Sequence, residues 1–248
     1  VRVLVIGDSC KDVYVYGTAD RQCPDAPVPV FVPTKNIISK GMSGNVYSNL
    51  ISLGVECDLI TNLDEVTKTR YVEEKTNHMI VRVDSGEESV KRIEDIGRID
   101  YEKYDAIVIS DYDKGFLKKE DIFEISSKHG CTFLDTKKIL GTWAKNITFI
   151  KVNEIEYERS REFIENKKWL DEKLIITKGS SGCLYGKKTF PVKKVEIKDL
   201  SGAGDTFLAA FATQILKTGD VNFSLQFANK CATSVVQRKG VVVVDRDT

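Results

Sequence analysis

The sequence predicts an α/β protein, with a mostly parallel central sheet flanked by helices on both faces and a small β-sheet lid. Three observations predict it. Short apolar, β-rich runs recur at Arg2–Ile6, Glu56–Thr61, Ala106–Ile109, Cys131–Leu134, Thr148–Ile150 and Lys173–Thr177, with helical stretches at Ser89–Arg98, Lys118–Lys128 and Glu154–Asn166 between several of them. That alternation encodes a parallel sheet covered on both sides. Two further pieces, about 13–40 and 69–85, carry extended runs around turns with no helix inside them. They read as hairpin material and supply the lid. Late in the chain, a polar turn with two glycines opens straight into an amphipathic helix whose apolar stripe includes Phe207, Phe211 and Ile215.

Composition bounds the class. At 248 residues the chain can bury a sizeable core, and we expect one large domain over 1–248 with the lid as a subdomain. Lys+Arg and Asp+Glu are equal at 37 each, so bulk charge offers nothing to a nucleic acid or a membrane surface. No apolar run approaches the ~20 residues of a membrane span. The six cysteines are scattered without a CxxC pair. That pattern fits reduced thiols and a cytoplasmic protein better than disulfides or zinc. The chain starts at Val1, and a few native residues are expected to precede it.

Taken in order, the first strand ends at Gly7-Asp8. Ligands of open α/β sheets bind beyond the carboxyl ends of strands, which places Asp8 and Asp12 at a candidate site. The plainer reading of Asp12 is a loop acid. In the first lid piece Tyr14, Tyr16, Val28, Val30 and Val32 alternate around Arg21-Gln22-Cys23-Pro24-Asp25-Ala26-Pro27; the second turns near Thr76-Asn77-His78. Arg21 and Arg82 are either solvated charges or forked donors for a phosphate. Gly41-Met42-Ser43-Gly44-Asn45-Val46 opens a helix running to about Leu53. Ser110-Asp111-Tyr112-Asp113-Lys114-Gly115 and Asp135-Thr136-Lys137 follow strand ends; Lys114 faces solvent or neutralises phosphate charge. Lys151-Val152-Asn153-Glu154-Ile155-Glu156 reads on its own as a helix cap and a surface acid. Thr177-Lys178-Gly179-Ser180-Ser181-Gly182 is a glycine-rich turn that is neither a Walker A loop nor a Rossmann fingerprint. The last helix, Val221–Gln237, carries core-type Phe223, Phe227, Cys231 and Val235.

The turn Asp199-Leu200-Ser201-Gly202-Ala203-Gly204-Asp205-Thr206 is the strongest chemical signal. The first N–H groups of a helix have no intrahelical partner, and the helix dipole adds positive charge there. Glycines let a ligand come close, so the turn is a phosphate cradle. A carboxylate beside a phosphate is repelled by it. Asp205 therefore makes chemical sense as a general base on the attacking hydroxyl. On spacing alone, a first-turn helix acid explains it equally well.

These motifs, in this order, resemble the ribokinase (PfkB-type) carbohydrate kinases. The 199–207 turn resembles the family's second signature, Asp-Thr-Thr/Val-Gly-Ala-Gly-Asp-Thr/Ser-Phe, with Leu200 departing from Thr. The Gly41–Val46 stretch resembles its first, with Met42 in place of a glycine. Tyr14-Val15-Tyr16-Gly17 through Ala26-Pro27-Val28-Pro29-Val30 closely resembles the bacterial heptose 7-phosphate kinases within the family. The likeness is strongest over residues 1–50, and the region between Glu156 and Lys173 looks shortened. The resemblance implies a ribokinase-like fold and an ATP-dependent kinase acting on C1 of a heptose 7-phosphate. It also implies a kinase domain alone, without the nucleotidyltransferase domain fused to some of these kinases.

It implies roles residue by residue. Asp205 is the base, with the amides of Gly202, Ala203 and Gly204 on the transferring phosphoryl group. Asp12, Asn45 and Gly41 hold the sugar, and Arg21, Arg82 and Lys114 its phosphate. Asn153, Thr177, Gly179, Gly182 and Asn229 line the ATP site. Glu156 orients the water shell of Mg2+, an ion that needs few protein ligands. Asp199 is a candidate for a monovalent cation such as K+. A kinase for another sugar or a nucleoside, and a non-catalytic sugar- or nucleotide-binding relative, stay open as alternatives. The lid pieces, left alone, would expose strand edges and an apolar face. A homodimer with lid packed on lid is therefore expected.

Overall fold

In chain order the elements are β1 (Arg2–Gly7), β2 (Ser9–Gln22), β3 (Pro29–Met42), α1 (Ser43–Ser52), β4 (Glu56–Ile60), β5 (Thr67–Glu73), β6 (Met79–Ser85), β7 (Ala106–Asp111), α2 (Lys119–Lys128), β8 (Thr132–Thr136), β9 (Phe149–Asn153), α3 (Glu154–Glu165), β10 (Leu174–Thr177), β11 (Cys183–Tyr185), β12 (Lys188–Phe190), α4 (Ala203–Thr218) and α5 (Val221–Val235). The structure is a computed structural model, and it describes residues 1–246. The strands form two sheets, an eight-stranded one ordered β12-β11-β10-β9-β8-β7-β1-β4 and a four-stranded one ordered β3-β2-β5-β6. In the large sheet β4, β1, β7, β8, β9 and β10 run parallel, and β11 and β12 close one edge as an antiparallel pair.

Strand β1 shows why the apolar runs are continuous. Val3 and Val5 pack into a core with Val46 and Leu50 of α1, Phe207 and Phe211 of α4, and Leu225 of α5. Leu4 and Ile6 point the other way, into a core with Ile122 and Ile125 of α2. Both faces are covered over Val3–Ile6, so every position of that run is apolar. Each such side chain contributes about 1.5–3 kcal/mol on burial.

Two sequence expectations are corrected and one strand pair is added. Ser89–Arg98 is no α-helix; only the short 3-10 turns Glu87–Ser89 and Ile96–Arg98 form there. Val90, Ile93 and Ile96 do reach the core, but along a chain pinned by Ile93 N to Phe116 O at 2.9 Å and Arg92 Nε to Asp121 Oδ2 at 2.9 Å. Their three-residue spacing fits this path as well as it fits a helix. The strand expected at Thr148–Ile150 runs on to Asn153. The β11–β12 pair, with Gly186 in the left-handed region at its turn, was not anticipated.

The lid is the four-stranded sheet. β1 leads almost directly into β2, so Asp12 lies on a lid strand and not in a loop. Register sorts the lid into two faces, because directly paired residues point the same way. One face carries Asp12, Lys68 and Asp84 in a row, then Tyr14, Arg70 and Arg82. The other carries Ile38, Val13, Thr69 and Val83, then Asn36, Val15, Tyr71 and Val81.

Candidate functional site

The first turn of α4 lies where the lid's polar face meets the carboxyl ends of the central strands. Gly202 is the N-cap residue at φ 79°, and no side chain caps the helix. A Cβ on Gly202 would stand 2.6 Å from Asn45 Nδ2, so both the backbone conformation and the space require glycine. A Cβ on Gly204 would stand 3.0 Å from Lys151 Nζ, which puts a buried ammonium against the backbone of this turn. Helix terminus and lysine together are suited to an anion.

Asp205 is 4% exposed. Its Oδ2 accepts from Asn45 Nδ2 at 3.0 Å and its Oδ1 from the Tyr112 hydroxyl at 2.7 Å. Burial pushes its pKa up from 3.8 to about 6, against the pull of those two hydrogen bonds. A buried carboxylate with a pKa near neutrality is suited to accepting a proton.

On one side of Asp205 lies a cavity of about 770 Å³. Asn153, Thr177, Gly179, Gly182, Asn229, Ala203 and Gly204 all line it. So do Asp135, Lys137, Lys151 and Tyr112, which sequence reasoning gave no role. The volume and mixed lining suit a nucleotide. Lys151 Nζ donates to Asp135 Oδ2 at 2.6 Å, and Asp135 Oδ1 is buried without a hydrogen-bond partner. Glu156 is buried and heavily engaged. It forms a capping box with Asn153, whose N and Nδ2 each donate to it at 2.8 Å, and it also pairs with Lys137. The plain reading is thus half right: Asn153 does cap the helix, but Glu156 is buried and not a surface acid, because the cap and Lys137 hold it inward. Burial opposes the charge on Lys137, but Asp135, Glu156 and Asp205 around it outweigh that and raise its pKa. Among the described residues no group of three or more His, Cys, Asp or Glu could hold a metal by itself. Mg2+ takes one or two carboxylates plus substrate phosphates, and the carboxylate oxygen beside the cavity without a hydrogen-bond partner is Asp135 Oδ1.

On the other side of Asp205 is the lid. Asp12 is buried, pairs with Arg70 and packs on Gly41, where a Cβ would stand 2.1 Å from Asp12 Oδ2. Beside Asp12 in register is Lys68, whose Nζ lies 3.9 Å from Glu87 Oε1. Lys114 comes from the loop after β7 to the same carboxylate, its Nζ 2.5 Å from Glu87 Oε2. Lys114 is therefore at the site, while Arg21 and Arg82 are not gathered with it. Arg21 sits exposed at the far end of β2, nine positions from Asp12 and so roughly 30 Å along the strand. Arg82 shares the polar face but is exposed and paired with Asp84 at 2.9 Å. Asp199 is not a free carboxylate. Its Oδ1 accepts from Ser201 N at 2.8 Å, and its Oδ2 accepts from the Tyr14 hydroxyl and Gly240 N, both at 3.1 Å.

Comparison with known proteins adds to this geometry. The pfkB family carbohydrate kinases match residues 43–246. The bifunctional protein HldE of a Nitratiruptor species is 30% identical over 287 residues, covering 96% of this chain and 62% of that protein. The chain thus spans about three fifths of the length of such curated relatives. The ribokinase of Thermotoga maritima superposes with a TM-score of 0.75 at 18% identity, covering 99% of this chain and 96% of that one. The Arabidopsis thaliana ribokinase complexed with ribose and ATP gives a TM-score of 0.71 at 15% identity, covering 99% and 96%. These two likenesses show the fold, which is ribokinase-like.

Proposed function

The chain belongs to the pfkB family of carbohydrate kinases, and from that premise we propose that it transfers the γ-phosphoryl group of ATP to the C1 hydroxyl of a heptose 7-phosphate. The observation that carries the reading is Asp205, a buried carboxylate at the mouth of a helix-terminus cradle, between a nucleotide-sized cavity and the polar face of the lid.

Asp205 takes the proton of the acceptor hydroxyl as it attacks. The amides of Gly202, Ala203 and Gly204, with the Lys151 ammonium beside them, stabilise charge on the phosphoryl group in flight. Mg2+ bound with ATP would supply further screening of phosphate charge; Asp135, which lines the cavity, and Glu156, through the ion's water shell, are the carboxylates that would hold it. Asp12 and Asn45 hold sugar hydroxyls. Lys68 and Lys114, already drawn together by Glu87, take the acceptor's own phosphate. The similarity to HldE and the lid sequence over 14–30 support a heptose in particular.

The outer lid face supports a second assignment. Ile38 is 66% exposed and Val81 and Val83 each 48%, a patch two copies would cover by packing lid on lid. A monomer by light scattering at micromolar concentration argues against this dimer. No helix among the described residues is long and apolar enough to cross a membrane. The six unpaired cysteines support a cytoplasmic setting for the activity.

The test of the activity is ADP release against a panel of sugars and sugar phosphates. Release should be fastest with heptose 7-phosphate. Fast release with a neutral sugar and none with any sugar phosphate would remove the heptose-phosphate reading.

A further inference from the structure

Nothing local in the sequence assigns Tyr112 a role, yet it makes the shortest hydrogen bond to Asp205, 2.7 Å from its hydroxyl to Oδ1. Its position is built from several directions. Its backbone N donates to Asp8 Oδ2 at 2.7 Å, anchoring it to the end of β1. Its ring is met by two ammonium groups, Lys137 Nζ at 5.1 Å from the centroid and Lys68 Nζ at 5.6 Å. Lys137 lines the nucleotide cavity and Lys68 belongs to the polar face of the lid. The ring therefore stands between the two compartments that Asp205 serves.

We propose that Tyr112 is a positioning residue: its hydroxyl holds the Asp205 carboxylate ionised and fixed in orientation at the boundary between the nucleotide cavity and the lid. It acts through Asp205 and contributes no proton of its own to the reaction. Burial and the neighbouring Asp205 charge raise its pKa well above 10, so the phenol stays a donor throughout the working range. The inference rests on the kinase reading for its purpose, but not for its geometry.

Other groups act on Asp205 from each element around it. Asn45 of α1 donates to Oδ2, Lys151 of β9 favours the ionised form and Asp135 at the end of β8 disfavours it. Lys137 and Cys10 of β2 also feel its charge. Against that background, removing the Tyr112 hydroxyl deletes one stabiliser of the carboxylate and leaves its burial unchanged. The proton affinity of Asp205 must rise.

The experiment follows MgATP affinity by calorimetry from pH 5 to 8 in the parent, in Tyr112→Phe and in Asp205→Asn. An ionised Asp205 repels the γ-phosphate. Parent affinity should weaken as pH rises through about 6. In Tyr112→Phe that inflection should sit roughly one pH unit higher, a tenfold change in proton affinity. In Asp205→Asn it should vanish, apart from the titration of the nucleotide common to all three. Tyr112→Met serves as a second variant lacking the hydroxyl, with the thermal transition as the folding control. An inflection at the same pH in the parent and both Tyr112 variants overturns the proposal, and so does an unchanged inflection in Asp205→Asn. Kinase assays on the same samples keep the two readings apart. A shifted inflection in protein that phosphorylates no acceptor removes the kinase reading and leaves the Tyr112–Asp205 coupling standing.

Discussion

Asn45 and Asp205 are 160 residues apart in sequence and 3.0 Å apart in space, Asn45 Nδ2 donating to Asp205 Oδ2. The Asn45 amide cannot turn over freely, because its Oδ1 accepts from Asn49 Nδ2 at 3.0 Å. Asn49 Oδ1 in turn accepts from the Thr206 hydroxyl at 3.2 Å and from Val244 N at 2.9 Å. One amide thus ties α1, α4 and the C-terminal segment together, one turn of helix behind the residue that touches Asp205.

Asn49→Ala should therefore do two things. Asn49 is fully buried, and its loss leaves Thr206 Oγ1 and Val244 N without their acceptor. Each buried unsatisfied group costs about 1–3 kcal/mol, so denaturant unfolding should show a loss of roughly 2–4 kcal/mol. Turnover should also drop at temperatures where the protein is still folded, since Asn45 loses its orientation. Full turnover in folded Asn49→Ala protein would make Asn49 purely structural.

Lys151 separates stability from catalysis in another way. Its ammonium and the Asp135 carboxylate are both buried, so Lys151→Met strands a negative charge and should cost about 3–5 kcal/mol. Adding Asp135→Asn removes that charge, and thermal melts should show most of the stability regained. Turnover should stay about 10²-fold down in both, because the positive charge against Gly204 is missing from both. Recovery of turnover along with stability would reduce Lys151 to an ion-pair partner.

Much of this site is legible in the sequence because its parts are local. The cradle at 202–205 is a turn running into a helix, and its signal is contained in neighbouring residues. The two-sided core follows from runs such as Val3–Ile6. What the sequence hides is pairing across distance. Asn49 looks like any polar helix residue until Thr206 and Val244 are seen to need its oxygen. Tyr112, Lys68 and Lys151 look like ordinary strand-end residues, and only register and crossing place them around Asp205. Ser89–Arg98 fails for the converse reason: its apolar spacing is real, but tertiary pins at Ile93 and Arg92 fix an irregular path. Arg21 misleads because a lid strand is long enough to carry a residue near the site in sequence far from it in space.

Lys68 and Lys114 give a prediction about the acceptor. Both face Glu87, and the proposed role for both is to take a second anion. Lys68→Ala and Lys114→Ala should each raise the KM for a sugar phosphate about tenfold or more, the scale of one charge-assisted hydrogen bond. The KM for ATP should stay within twofold. Steady-state kinetics with each substrate varied in turn will show the split. Equal rises in both constants would place the lysines elsewhere in the mechanism.

Asp205→Asn tests the base itself, and pH gives it a second signature. Asn keeps the shape but accepts no proton, and loss of a positioned general base costs about 10²–10⁴ in rate. MgATP should still bind, more tightly at neutral pH because the charge near the γ-phosphate is gone. Stability should move in the opposite sense to activity. The Asp205 carboxyl titrates near 3.8 in the unfolded chain and about 6 when folded, so the folded state binds its proton more tightly. The stability this gives is complete below pH 4 and is lost as pH rises through 6. Above that the buried charge costs roughly 3 kcal/mol at most. Asp205→Asn escapes that cost, although its amide now faces the Asn45 amide donor and loses part of the gain. Its melting temperature should exceed the parent's at pH 8, and the difference should close by pH 4. A gain of the same size at both pH values would mean that Asp205 carries no burial-raised pKa, and turnover within threefold of the parent would take it out of the reaction.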